Sequence, residues 1–201
     1  MPGALGALRL IELTAASLCE ALGEPTGLLR QVMSAQPDAN PALTEALQAL
    51  TSRLQLRQAA WGAGADPTTL DQIAALALGL PNHVGLDLTA LHGGAVLAPD
   101  LGRIVLNLLL LAADSLPGGG QIILAGAVDD LFVQIVGQAA AWPPGMALLL
   151  ADESELQRAL GDGRTLQMAL TALLARAAGI RLSAFYPPAA EGAPAILRLG
   201  G

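Results

Sequence analysis

Lysine is absent from this 201-residue chain, and all ten of its basic residues are arginines. With no primary amine on a side chain, Schiff-base chemistry and a Walker-type phosphate loop are both excluded. A single cysteine, Cys19, rules out an internal disulfide and a cysteine metal site, and its expected role is that of a small buried hydrophobe. The arginines are scattered and outnumbered by seventeen acidic residues, for a formal net charge of -7. Nothing in that distribution forms a basic stripe able to displace counterions, so no nucleic-acid partner is expected. Uninterrupted apolar runs fall short of the roughly 18 residues a bilayer span needs. The N-terminus also lacks a basic start followed by a cleavable apolar run. The expectation is a cytoplasmic protein without a membrane partner. What the chain does have is apolar residues, 53% of the total, enough to bury a substantial core in one domain or two small ones.

Those apolar residues are patterned. Leu8, Ile11, Ala15, Leu18, Leu22, Leu29 and Val32 follow the alternating three-and-four spacing of a helical seam. Pro25 sits in the seam between Leu22 and Leu29, where a missing ladder bond predicts a bend. Dense turn chemistry at 37–41 predicts a reversal. A second seam runs through Leu43, Leu47, Leu50, Leu54, Arg57 and Trp61 and ends at Gly62 and Gly64. Two such helices form a hairpin that cannot bury both stripes alone, so a second copy is expected to complete a four-helix bundle. Beyond residue 64 the period changes. A short helix is expected over 68–78, a strand over 84–89 and an apolar helix over 99–114. A β-hairpin is expected from strands 121–128 and 131–137 turning at Asp129-Asp130, then a helix over 164–178 and strands over 180–185 and 195–199.

Four segments stand in order along the chain: Cys19-Glu20-Ala21-Leu22-Gly23-Glu24-Pro25, the stretch from Ser52-Arg53-Leu54-Gln55 to Trp61-Gly62-Ala63, residues 106–117, and residues 173–179. In that order they resemble the bacterial histidine phosphotransferases of the ChpT type, which have a histidine kinase's architecture without its ATP binding. The resemblance implies an α+β chain. Residues 1–64 would form a helical-hairpin domain pairing into a dimeric four-helix bundle, and residues 65–201 a degenerate kinase ATPase-like α/β sandwich. It further implies a two-component signalling role, with response-regulator receiver domains as partners and the chain itself as a homodimer.

In such relatives the first segment carries an acceptor histidine, followed by an acid and, five positions on, by a proline. Here Glu20 stands at the acceptor position and Ala21 at that of the acid, while Leu22, Glu24 and Pro25 keep the frame. Phosphoryl relay needs an imidazole nitrogen that is nucleophilic at neutral pH. A carboxylate would have to form an acyl phosphate, and its charge repels an acidic phosphorylated pocket. No catalytic residue is therefore assigned, and Glu20, two residues past Leu18 on the seam, is expected to face solvent.

Asn107 matches the first asparagine of the kinase N-box. Leu111 stands where the second would reach magnesium, and a hydrocarbon cannot ligate that ion. Gly161-Asp162-Gly163 precedes a helix and matches no glycine box, so no nucleotide, other cofactor or metal is expected, and Asn107 is expected to be structural. The expected function is a phosphotransfer-deficient, receiver-binding protein. Two alternatives stand beside it: an active phosphotransferase using another acceptor, for which His83 and His92 are the candidates, and a structural dimer with an unrelated partner. A hydrolytic triad of Ser115, Asp114 and His92 lacks a nucleophile-elbow sequence.

Overall fold

The computed structural model describes residues 2–34, 41–62, 66–91, 95–186 and 194–200; within α1 the side chains of several residues, among them 18–20, 24 and 25, lie outside that description. Two long helices come first, α1 (Pro2–Ser34) and α2 (Pro41–Trp61), packed on each other as the two seams require. Pro41 takes the first helical position of α2, where its missing N–H breaks no ladder bond. Helix α1 continues through Pro25 to Ser34. The expected reversal at 37–41 falls on residues outside those described, apart from Pro41.

A two-residue strand β1 (Thr68–Thr69) then pairs antiparallel with β3 (Val96–Leu97), and α3 (Leu70–Ala77) follows β1 directly. The helix expected from 68 thus begins at 70. Thr69 is its N-cap, its hydroxyl accepting from the Gln72 amide while the Gln72 side chain accepts from the Thr69 amide, a reciprocal capping box.

The remaining strands are β2 (Val84–Leu91), β4 (Gly120–Ala127), β5 (Asp130–Gly137), β6 (Arg181–Phe185) and β7 (Ile196–Gly200), in the spatial order β2-β4-β5-β7-β6. The β2–β4 pair is parallel and all others are antiparallel. Between β3 and β4 runs α4 (Pro99–Asp114), and between β5 and β6 come α5 (Met146–Ala151), α6 (Glu153–Ala159) and α7 (Leu166–Ala177). The hairpin turns at Val128-Asp129 and not at Asp129-Asp130, because Asp130 is the first residue of β5, opposite Ala127. There its carboxylate takes both arms of the Arg198 guanidinium from β7.

Strand alternation sends Ile122, Leu124, Leu131, Val133, Ile135, Leu197 and Leu199 into the core, where α4 and α7 cover one face of the sheet. Helix α4 is buried from Leu101 to Ala113, since α2 and α3 enclose it on the sides left free by α7 and β4. Gly79, in the turn after α3, lets this half touch the hairpin. A Cβ there would stand 2.3 Å from the Ser52 carbonyl oxygen of α2, which only glycine avoids.

Candidate functional site

The H-box-like frame occupies the middle of α1. The Glu20 side chain lies outside the described residues, as do those of Glu24 and Pro25, so the expectation that Glu20 faces solvent falls there too. Its helical neighbours Ser17, Ala21, Leu22 and Gly23 are exposed. Thr26 is buried and returns its hydroxyl to the Leu22 carbonyl at 2.6 Å.

From α4, Asn107 and Arg103 reach the C-terminal end of α2. Asn107 is wholly buried; its amide nitrogen donates to the Ala60 carbonyl at 2.5 Å and to the Arg103 carbonyl at 2.9 Å. Arg103, one turn earlier, donates to Ala60 O at 3.3 Å and to Trp61 O at 2.9 Å. Its remaining arm meets Glu12 of α1 at 2.6 Å. These are carbonyls that the end of a helix leaves without an intrahelical partner.

Gln167 of α7 closes the network. Its amide nitrogen donates to Asn107 Oδ1 at 3.0 Å, and its oxygen accepts from the Trp61 indole N–H at 3.1 Å. Among the described residues no buried side-chain polar atom lacks a partner. Asn107 therefore ties α2 to α4 and α7. Leu111, one turn on, is 2% exposed and part of the core. Nothing in the sequence reading identified Arg103, Glu12 or Gln167. The available signal was an arginine inside a helix otherwise apolar enough to be buried, because a buried guanidinium requires acceptors.

The histidines stand apart from this network. His83 is exposed, and its carbonyl accepts from the Gly120 amide at 3.0 Å; His92 lies outside the described residues. Ser115 is buried and its hydroxyl donates to the Leu111 carbonyl at 2.7 Å, a bond at the end of α4. Asp114 is exposed at the end of α4. Desolvation by the neighbouring walls raises its pKa, and the field of Arg57 opposes that shift. No group of three His, Cys, Asp or Glu side chains suited to a metal ion occurs among the described residues, and no described helix is long and apolar enough to cross a membrane.

Comparison with known proteins adds the following. The family profile described as histidine phosphotransferase C-terminal domain matches residues 84–187, which takes in β2 to β6. Among solved structures the chain is similar to a 1.7 Å structure of a bacterial phosphotransferase, with a TM-score of 0.58 and 18% identity over 97% of this chain and 92% of that one. It is also similar to full-length ShkA in complex with AMPPNP, with a TM-score of 0.44 and 14% identity over 94% of this chain and 44% of that one. No curated protein matches.

Proposed function

The chain belongs to the histidine phosphotransferase family, and from that premise we propose that it is a two-component signalling protein that has lost its acceptor histidine and works by binding receiver domains. Glu20 carries the reading: it occupies the acceptor position of a frame whose Leu22, Glu24 and Pro25 remain. A glutamate there offers no imidazole to form a phosphoramidate. It would bring a negative charge to a receiver's acidic pocket, and that charge weakens binding most when the pocket is phosphorylated. The protein would thus favour unphosphorylated receivers.

Two further features support the same reading. Leu22, Leu29 and Val32 of α1 and Leu43 and Leu50 of α2 are each at least 44% exposed in the single chain. An apolar surface of that kind suits a second hairpin, and hence a homodimeric four-helix bundle presenting two docking faces. In the other half, the Asn107 amide is committed to Ala60 O and Leu111 is core. That arrangement favours a scaffold that works without nucleotide or metal.

The test is a titration of the full chain against immobilised receiver domains of its host, each with and without phosphorylation. Saturable binding to at least one receiver is expected, tighter for the unphosphorylated form, with Glu20→Ala narrowing the preference. Binding to none of them would contradict the proposal.

A further inference from the structure

A cleft of about 770 Å³ opens where the hairpin meets the sandwich. Its apolar walls include Ile11 and Ala15 of α1, Trp61 of α2, Leu110 of α4, and Leu166 and Leu170 of α7. Asn107 and Leu111 do not line it, but Leu110, Ala113 and Asp114 of the same helix and Gln167, which bonds Asn107, do, so the cleft borders the degenerate N-box without including its two matched positions. Ligand pockets for small molecules are typically about 300–1,000 Å³, largely apolar, with a few convergent polar groups, and this cleft fits that description.

The polar groups are unequal in charge. Arg53 and Arg57, one turn apart on α2, both line the cleft, and Asp114 does so from the end of α4. Neither arginine forms an ion pair among the described residues. The Arg57 guanidinium lies 5.9 Å from the Trp61 ring centroid, and its field acts on Asp114, which leaves Arg53 uncompensated. Two like charges one helical turn apart repel each other, and in a chain of net charge -7 their placement at one apolar opening calls for an anion. A guanidinium pair is also the donor set that matches the planar oxygens of a carboxylate or the oxygens of a phosphate.

We propose that this cleft binds an amphipathic small-molecule anion, whose single carboxylate or phosphate head is held by Arg53 and Arg57 and whose apolar body lies against Ile11, Trp61, Leu166 and Leu170. One wall belongs to the hairpin and the other to the sandwich, so the bound molecule holds the two halves in the arrangement seen here. The site is independent of any receiver-binding role.

Calorimetric titration of the full chain with decanoate, decyl phosphate and decyltrimethylammonium varies the head at constant tail. Saturable binding of one molecule per chain is expected for one or both anions, the tighter of the two identifying the head, with the cation at least about tenfold weaker. Replacing both exposed arginines, Arg53→Gln with Arg57→Gln, should weaken the anions about tenfold or more in a chain that still unfolds cooperatively, whereas Arg53→Lys with Arg57→Lys keeps the charge but not the guanidinium fork and should fall between the wild type and the glutamine pair. Ala15→Phe, which fills the cleft, should weaken anion and cation alike. No saturable anion binding below about 1 mM, equal affinity for the cation, or unchanged anion affinity in the double glutamine variant would each overturn the proposal.

Discussion

Asn107 and Arg103 act from successive turns of α4 on the Ala60 carbonyl, and Arg103 also holds that of Trp61, so losing either should loosen the joint between the hairpin and the sandwich. Asn107→Leu removes one of two donors to the Ala60 carbonyl, the other being Arg103, and leaves the Gln167 amide only the residue's backbone carbonyl and Thr171, and we expect it to lower unfolding stability by about 1–2 kcal/mol. Arg103→Met leaves the Glu12 carboxylate, which is 12% exposed, with only its longer 3.6 Å pair to Arg9, at an expected cost of about 1.5–3 kcal/mol. Urea unfolding midpoints measure both, and a shift under 0.5 kcal/mol, about the level of an ordinary surface substitution, would show that the network is incidental. Asp114 gives a prediction in pH. Its unfolded value is 3.8 and its folded value is higher, so below 3.8 both states are protonated and the group contributes nothing. As pH rises through that window the unfolded state releases its proton first and stability falls, and the deficit persists at neutral pH. Asp114→Asn should therefore melt above the wild type at pH 7, with the difference shrinking toward zero below pH 4; an unchanged or lower melting temperature at pH 7 would contradict it. That Asn107 would be polar structure was readable from its place on an apolar helix. Its partners, 47 and 60 positions away, are set by tertiary packing that local pattern does not encode.

Helices and strands were readable in proportion to their length and period. Helix α4 begins and ends where Pro99 and the run after Asp114 place it, because proline at the first turn and the breakers after residue 116 are local signals. Strand β2 runs two residues beyond the expected 89, to Leu91, where pairing with β4 continues past an irregularity. Helices α5 and α6, of 6 and 7 residues, had no counterpart in the sequence reading, since one or two turns are too short for a 3.6-residue period to register. Asp152 was a usable signal there: its carboxylate accepts from the Ser154 amide and caps α6, whose first turn carries Glu153 and Glu155. The hairpin's two apolar seams were legible as helices, but in the single chain they are only partly covered. Leu47 and Ala15 are buried, while Leu22, Leu43 and Leu50 are exposed. Sedimentation of the full chain at tens of micromolar should give a dimer, and Leu22→Asp with Leu50→Asp a folded monomer, because the substitution would bury uncompensated charge in the joined seam. A wild-type monomer would remove the four-helix bundle.

Across the whole molecule, the α/β half carries the family match at residues 84–187, and the similarity to a phosphotransferase structure extends over 97% of the chain. The mixed α+β order was legible because helical and strand periods alternate in blocks. The five-stranded order was not, since it depends on the parallel β2–β4 pairing and on β7 lying between β5 and β6, which strand sequences alone leave open. Two-component function follows from the family; the proposed loss of the acceptor rests on a single position, so it is the claim to test. The direct measurement is incubation of the full chain with a receiver carrying a labelled phosphoryl group on its aspartate. The account predicts no label on the wild-type chain and acid-labile label on Glu20→His combined with Ala21→Asp. Acid-labile label on the wild type that His83→Ala or His92→Ala removes would contradict it.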